Sequence, residues 1–361
     1  MNKEIKQILN HYESENPGVK ASLTRILMHG KLGGTGKLVI LPVDQGFEHG
    51  PVKSFEVNPD AYDPHYHFQL AVDSGVSAYA APLGMIEAGA STYAGMLPLI
   101  LKLNSSNSLH SKNLTSDQAI TSSVKDALRL GCSAVGFTIY PGSAKCFDMM
   151  EEAREIVAEA KSYGLAVVLW SYPRGEGISK EGETAVDVIA YAAHIAALLG
   201  ANIIKVKLPT KYLEREKIET ENIESLSKRI EYVKRSCFAG KRIVVFSGGE
   251  SKEVDDICNE AKEIKQGGGS RGYDAGKKIK GRKRHIIVDT LGLIIEADVH
   301  SANVQDRDGA LDLFVQAKKK IPTLQKFFAD QGYSGALQNN CFLKTRCLLT
   351  IAKKASDAVG F

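Results

Sequence analysis

The stretch that decides the fold runs from residue 165 to residue 208. Two apolar, β-branched runs, 165–172 (LAVVLWSY) and 202–208 (NIIKVKL), flank an amphipathic segment, 185–200 (AVDVIAYAAHIAALLG). The segment ends in Gly200, at the position where a glycine commonly closes a helix. A strand, a helix and a second apolar strand in this order predict a parallel βα unit with a right-handed crossover.

The same alternation extends over residues 1–270, and a second helical segment, 148–164, also ends in glycine. Near-continuous apolar strands are typical of a sheet that is buried on both faces. Seven such units favour an eight-stranded α/β barrel over a doubly wound sheet, since the GxGxxG signature of dinucleotide-binding sheets is absent. The seven predicted strands are 38–44, 76–82, 97–103, 132–140, 165–172, 202–208 and 242–247.

The composition changes after Gly269, where an eighth strand is due. The chain has 46 Lys and Arg and 42 Asp and Glu residues, of which residues 271–361 hold 16 and 9, so the basic excess lies in the tail. We therefore expect two domains. The first is a TIM-type barrel over 1–269 that lacks its native eighth strand, and the second is a C-terminal α+β fragment over 270–361.

Composition excludes several classes of protein. With 361 residues, 43% hydrophobic and 24% charged, the chain is typical of globular proteins rather than collagen, coiled coils or disordered chains. It shows no signal-peptide core and no apolar stretch of membrane-spanning length, so we expect a cytoplasmic protein without membrane partners. Its six cysteines form no CxxC pair, which predicts reduced thiols.

Polar residues at the carboxyl ends of the predicted strands form the candidate site, because barrel enzymes place their chemistry there. A lysine within an apolar strand is the most informative, since burial lowers the pKa of an ammonium and leaves a neutral amine that attacks carbonyls. We expect Lys102, Lys205 and Lys207 to converge in one cavity and to lower one another's pKa. The alternative is a lysine paired with a barrel carboxylate such as Asp44.

A second group of residues indicates a phosphorylated substrate. Because side chains alternate along a strand, Trp170, Tyr172 and Arg174 share one face. The seventh strand ends in Ser-Gly-Gly at 247–249, where exposed backbone amides can bind an anion. Alone, this turn could equally be structural. Beside an inward lysine and Arg174, it favours a phosphorylated carbonyl compound.

A metal site is disfavoured. His65 and His67 could supply two ligands, but a helix start flanked by proline explains them better, and no third ligand stands at a suitable spacing. Glu48 and His49, which follow the first strand, are interpreted as a structural pair in a loop. We expect no metal and no other cofactor.

Five motifs in order resemble the archaeal-type class I fructose-bisphosphate aldolases, and the resemblance covers nearly all of residues 1–270. Members of that family are TIM barrels, usually oligomeric, that cleave fructose 1,6-bisphosphate to dihydroxyacetone phosphate and glyceraldehyde 3-phosphate without metal. The motifs are LPVDQGFEHGP (41–51), AVGFTIYPGS (134–143), WSYPRG (170–175), ANIIKVKLP (201–209) and VVFSGGE (244–250).

The residues alone do not decide whether Lys205 or Lys207 is the nucleophile. The resemblance implies a role for each site residue. It implies a Schiff base on Lys205, a general acid/base at Tyr172, and a homo-oligomer that binds a phosphorylated sugar. In the family a Gly-Arg-Asn motif on the eighth strand completes the phosphate site, and nothing after Gly269 matches it. The implied site residues are catalytic Lys205, Tyr172 and Asp44, with Trp170, Arg174, Lys207, Ser247, Gly248 and Gly249 on the substrate and its phosphates.

The tail has its own resemblance, to the ribonuclease-H-like catalytic core of insertion-sequence transposases with an acidic triad. It is carried by 271–292 (RGYDAGKKIKGRKRHIIVDTLG), 299–310 (VHSANVQDRDGA) and 327–335 (FFADQGYSG). Asp330 matches the second carboxylate of the triad, whereas the first and third have no match in this stretch. Because two-metal catalysis needs all three, we expect no transposition from this fragment alone. The basic run Lys277–Arg284 is interpreted as a solvated strand edge rather than a functional nucleic-acid site.

Three hypotheses for the function follow. The first is Schiff-base cleavage of fructose 1,6-bisphosphate, and the second is a related lysine-dependent aldol or transaldol reaction on another phosphorylated sugar. The third is an inactive fusion product with residual nucleic-acid affinity. We expect the missing eighth strand to lower activity and stability, and a predicted hairpin at 284–299 either to enter the gap or to form a small sheet with 302–330.

Overall fold

The computed structural model describes residues 2–109, 115–218, 223–247, 259–264, 272–274, 279–288, 294–301, 306–330, 333 and 335–352. The chain divides into two compact units, Met1–Gly267 and Gly268–Phe361. Within the described ranges, no helix is long and apolar enough to cross a membrane.

A curled sheet of seven parallel strands forms the framework of the first unit, and it confirms all seven predicted strands. Its order is β1-β2-β3-β6-β7-β8-β9, while β4 and β5 form a separate antiparallel pair. The strands are β1 (Ile40–Pro42), β2 (Ala78–Pro82), β3 (Leu99–Lys102), β4 (Asn104–Ser105), β5 (Ala119–Ile120), β6 (Ala134–Ile139), β7 (Ala166–Ser171), β8 (Ile203–Lys207) and β9 (Ile243–Ser247).

Helices cover the outer face of this sheet, and their ends follow from the sequence. Asp63 caps the helix that begins at Pro64, and Gly164 and Gly200 adopt positive φ angles just after the two helices predicted over 148–164 and 185–200. The helices are α1 (Lys3–Asn10), α2 (Pro17–Met28), α3 (Gln45–Glu48), α4 (Pro51–Phe55), α5 (Pro64–Ser74), α6 (Leu83–Gly89), α7 (Val124–Arg129), α8 (Cys146–Ser162), α9 (Val186–Leu198) and α10 (Leu226–Ser236), with 3-10 turns at Pro59–Tyr62 and Gly182–Thr184.

Two apolar cores lie on the two faces of the sheet. The outer core packs the strands against helices such as α8 and α9. The inner core fills the concave face, where small residues such as Ala80 and Ala134 leave room for the apolar side of α1 and α2. The two N-terminal helices therefore close the inside of the half-barrel at the end opposite the strand carboxyl ends.

Tyr12, which follows α1, connects the two N-terminal helices to strands β8 and β9 by hydrogen bonds. Its hydroxyl donates to the carbonyl of Asn202 at 2.5 Å and accepts from the amide of Ile243 at 3.1 Å. The Asn202 side chain in turn bonds the Val167 amide at 2.8 Å and Glu15 at 2.7 Å. These buried bonds fix where β8 and β9 begin.

The sheet is open in the part of the chain that the structure describes. Strands β1 and β9 are its two edges, and no eighth strand joins it there. This agrees with the prediction of a TIM-type barrel that lacks its native eighth strand. An edge strand exposes unpaired backbone groups, so the two edges are the weakest part of this unit.

The second unit contains two small sheets around one apolar cluster. The predicted hairpin at 284–299 is present, as β11 and β12 pair antiparallel. Among the described residues their sheet is completed by β10, and it includes neither a strand of 302–330 nor a strand of the seven-stranded sheet, contrary to both expectations. The elements are β10 (Gly272–Asp274), β11 (Ile279–Val288), β12 (Ile294–Ser301), α11 (Asp306–Lys320), β13 (Lys326–Ala329), α12 (Leu337–Thr345) and β14 (Leu348–Ile351), with β13 and β14 parallel.

Replacement of Tyr12 by Phe tests the role of its hydroxyl. The change leaves a buried carbonyl and a buried amide without their partner, so we expect a loss of about 1–3 kcal/mol in the free energy of unfolding, measured by urea denaturation. Tyr163→Phe, at a half-exposed tyrosine, is the control. Equal stability of the two variants would contradict the proposed tie.

Candidate functional site

The strand register brings the predicted site residues to one end of the concave face. Trp170 on β7 lies beside Lys205 on β8, and Lys205 lies beside Val245 on β9. Lys102 ends β3, and Asp44 follows β1. Because side chains on alternate positions face the same side, Trp170, Lys205 and Lys102 line the inside of the curl.

Lys205 is a partly buried amine without a salt bridge or hydrogen bond among the described residues. Its Nζ lies 5.6 Å from the centre of the Trp170 ring. Burial lowers the pKa of Lys205 to about 8; the negative charge of Asp44 opposes this shift, and the positive charge of Lys102 adds to it. At this pKa roughly a tenth of the amine is neutral at pH 7, far more than for an ordinary lysine, and the neutral form is the one that attacks carbonyls.

Lys102 is a buried cation shared by two carboxylates. Its Nζ lies 3.0 Å from Oδ2 of Asp44 and 2.7 Å from Oε1 of Glu48. Burial alone would lower the pKa of Lys102, but the two carboxylates outweigh it and raise the pKa. For Lys102, the alternative of a lysine paired with Asp44 is therefore correct, and the expectation of a mutually lowered pKa is wrong.

Lys207 lies on the same side of β8 but pairs elsewhere. Its Nζ bonds Oε2 of Glu183 at 2.8 Å, and Lys180 bonds the other oxygen of that carboxylate at 3.1 Å. Burial would raise the pKa of Glu183, but the two lysines lower it. The structure thus distinguishes the two lysines that the sequence left equivalent, because Lys207 has a carboxylate partner.

Tyr172 and Arg174 follow β7, the strand next to the one that carries Lys205. The pKa of Tyr172 is raised, first by burial and then by the nearby charge of Asp44, while Arg174 and a hydrogen bond with the Ser247 side chain oppose the shift. The Arg174 guanidinium lies 5.8 Å from the centre of the Tyr172 ring and 5.6 Å from that of Tyr140. Among the described residues it has no carboxylate partner, which leaves it available to an anion.

The indole ring of Trp170 packs against a glycine on the neighbouring strand. A Cβ atom built on Gly136 of β6 would lie 1.8 Å from Cζ3 of the indole ring, so only glycine leaves space for the ring. The ring is 3% exposed. Its Nε1 is buried and has no hydrogen-bond partner within the described part of the chain. An unpaired buried donor is costly, so this nitrogen is an exception among the buried polar groups near Lys205.

Three residues near Lys102 were missed by sequence reasoning. Glu48, interpreted as a structural loop residue, bonds Lys102, and the side-chain amide of Gln118 lies between Glu48 and the hydroxyl of Tyr140. The four-residue spacing from Asp44 to Glu48 could have indicated one side of a helical turn. Nothing in the sequence indicates Gln118, because its segment reaches the site through a long connection after β4.

The remaining predicted residues are placed as follows. Ser247 ends β9, whereas Gly248 and Gly249 lie outside the described residues. His65 and His67 bond backbone carbonyls of Ala88 and Ala61, and the described ranges contain no group of three side chains that could hold a metal. These bonds support the interpretation of the histidine pair as structural.

The candidate residues of the second unit are only partly described. Asp330 is exposed directly after β13. Of the basic run Lys277–Arg284, the structure describes the backbone from 279 onward as part of β11, and the first two lysines lie outside the described residues.

Comparison with known families matches each part of the chain separately. Residues 38–282 match the model of DeoC/LacD family aldolases, and residues 252–354 match that of the transposase DDE domain. The two matches overlap over 252–282. The C-terminal region therefore contains a DDE transposase domain match beside the aldolase match.

Curated relatives and solved structures agree with the first match. A probable class 1 fructose-bisphosphate aldolase of Chlamydia muridarum is 37% identical over 77% of this chain and 84% of its own length. The class 1 enzyme of Thermoproteus tenax is 36% identical over 69% and 85%. A solved Schiff-base-forming fructose-1,6-bisphosphate aldolase is 34% identical with a TM-score of 0.57, over 68% of this chain and 88% of that chain.

Replacement of Gly136 by Ala tests the seat of the indole ring. The added methyl group would overlap the ring of Trp170 and force it out of its present position, so we expect a shifted emission maximum of intrinsic fluorescence. The readout is specific because Trp170 is the single tryptophan of the sequence.

The control is Gly84→Ala, since a Cβ atom at Gly84 meets no atom within 4 Å. An unchanged spectrum in Gly136→Ala would contradict the close packing of this glycine against the indole.

Proposed function

Because the chain belongs to the DeoC/LacD family of aldolases, we propose that it is a class I aldolase that cleaves fructose 1,6-bisphosphate through a Schiff base on Lys205. The observation that carries the proposal is an amine with a pKa near 8, without a carboxylate partner among the described residues, beside an indole ring. The relatives named above support the choice of substrate, since they are described as enzymes for fructose bisphosphate.

In the first step the neutral Nζ of Lys205 attacks the ketone carbon of the sugar. The electrons of the carbonyl bond move to oxygen, which takes up a proton, and the resulting carbinolamine loses water to give an iminium. Asp44 is the group for these proton transfers, because it faces Lys205 and is 26% exposed in its side chain. Lys102 lowers the pKa of Asp44 against the effect of burial and keeps it ionised.

In the second step the bond between C3 and C4 breaks. Tyr172 accepts the proton of the C4 hydroxyl, and the bonding electrons move into the iminium, which acts as the electron sink. Tyr172 accepts this proton as its phenolate. Burial raises the pKa of Tyr172 and so disfavours the phenolate, whereas the positive iminium and Arg174 favour it, and Asp44 is the group that takes the phenol proton beforehand. Glyceraldehyde 3-phosphate leaves. Protonation of the enamine and addition of water then release dihydroxyacetone phosphate and restore Lys205.

The phosphates are assigned to the two sides of the site. Ser247, Gly248 and Gly249 hold one phosphate through backbone amides, while Arg174 binds at the other end and Lys207 adds a second cation. The missing Gly-Arg-Asn motif removes one charged contact, so we propose weaker binding than in relatives that possess it. The proposed assembly is a homo-oligomer.

The second unit has no assigned activity in this proposal. We propose a boundary after residue 269, within the overlap of the two family matches, with a transposase-derived fragment after it. Nucleic-acid binding is not part of the proposed function.

Replacement of Lys205 by Ala tests the nucleophile. We expect borohydride reduction in the presence of dihydroxyacetone phosphate to trap a covalent adduct on the native chain and none on Lys205→Ala, measured by mass spectrometry of the peptides. Lys207→Ala is the matched control, one alternate position along the same strand, and should still carry the adduct on Lys205. An adduct that persists in Lys205→Ala, or maps to Lys207, would contradict the assignment.

Replacement of Arg174 by Met tests the anion site. Loss of a charged hydrogen bond of roughly 1.5–3 kcal/mol should weaken binding of fructose 1,6-bisphosphate by about ten- to a hundredfold. Binding of unphosphorylated fructose should change little, and both are measured from the concentration dependence of adduct formation. The control is Arg235→Met, since Arg235 also lies over a tyrosine ring, but on α10. Equal effects on both sugars would show that Arg174 is structural.

A further inference from the structure

Glu48 forms an ion pair with Lys102, the buried lysine that also pairs with Asp44. It lies on the single turn of α3, where its amide donates to the Asp44 carbonyl at 3.0 Å. This turn places both carboxylates on one side, so that they reach the same buried ammonium. Glu48 is the nearer of the two, at 2.7 Å from Lys102 Nζ against 3.0 Å for Asp44.

The Glu48 carboxylate is fixed by neutral donors as well. The side-chain amide of Gln118 lies 3.4 Å from its Oε1, and the backbone amide of Ser106 lies 3.5 Å from the same atom. The Glu48 side chain is 15% exposed, whereas that of Asp44 is 26% exposed. Glu48 therefore points toward Lys102, Gln118 and the Ser106 amide rather than the open site. Asp44 is the carboxylate whose charge acts on Lys205.

The charges around this cluster explain what Glu48 does for Asp44 and Lys205. Lys102 acts on both groups, since its charge lowers the pKa of Asp44 and that of Lys205. A second carboxylate on Lys102 compensates part of that charge and leaves Asp44 less tightly held. Two tyrosines are the other ionisable groups around the cluster. The charges of Glu48, Lys102 and Arg174 act on the pKa of Tyr140, and those of Asp44 and Arg174 act on the pKa of Tyr172.

We propose that Glu48 is a positioning residue for the lysine chemistry: by sharing Lys102, it leaves Asp44 free to face Lys205 and sets the pH at which the Lys205 amine becomes reactive. The proposal builds on the proposed Schiff-base function. Glu48 itself touches no reacting atom and acts through Lys102.

The test is the pH dependence of borohydride trapping with dihydroxyacetone phosphate in Glu48→Gln. Removing the negative charge leaves Lys102 with Asp44 as its one carboxylate, so more of its positive charge acts on Lys205 and disfavours a second positive charge there. We expect the midpoint of the rising limb to move to lower pH by about half a unit or more. A midpoint equal to that of the native chain would overturn the proposal.

Glu15→Gln is the matched control. Glu15 is also a largely buried glutamate paired with a lysine, Lys161, but it lies at the opposite end of the half-barrel. We expect it to lower thermal stability without moving the midpoint. If both variants moved the midpoint equally, the effect would be general destabilisation and the proposal would fail.

Glu48→Asp separates position from charge and serves if Glu48→Gln does not fold. It keeps the charge but shortens the side chain by one methylene, so we expect the native midpoint with trapping at least about threefold slower, since the pair geometry is lost. A native trapping rate would overturn the proposal. Failure of the native chain to form any adduct would instead contradict the proposed function, so the two failures are distinguishable.

Discussion

The chemistry of the site depends on the cost of placing an ammonium in an apolar strand. Lys205 has no carboxylate partner among the described residues, so desolvation dominates and lowers its pKa to about 8. For Lys102 burial also favours the neutral form, but two carboxylates outweigh it and raise the pKa, so this lysine stays charged. The pKa of Lys205 is thus lowered and that of Lys102 raised, although both lysines lie on apolar strands of one sheet.

The rest of the first unit holds these two lysines in place. The N-terminal helices fill the inside of the curl, and Tyr12 joins them to the start of β8, the strand that carries Lys205. Gly136 leaves the space in which Trp170 covers the amine. Among the described residues, the two edge strands of the sheet are β1, which is followed by Asp44, and β9, which ends in Ser247.

The sequence was sufficient for the strands, because each is a short apolar run and the helices between them end in glycine. The sequence also predicted that Asp44, Lys102, Trp170 and Lys205 lie close together, because residues at strand carboxyl ends share one end of a barrel. It could not separate Lys205 from Lys207, since the partner of Lys207 is Glu183 in a loop. Nor could it find Gln118, whose role depends on a tertiary contact with no periodic signal.

The central claim is that Lys205 titrates far below an ordinary lysine. Its most direct test is an NMR titration of the 13Cε resonance of Lys205 in a chain with labelled lysine, assigned by comparison with Lys205→Ala. The account predicts a midpoint at about pH 8. A midpoint near the ordinary lysine value of about 10.4 would contradict it, because the neutral fraction of the amine at pH 7 would then be smaller by roughly a hundredfold or more.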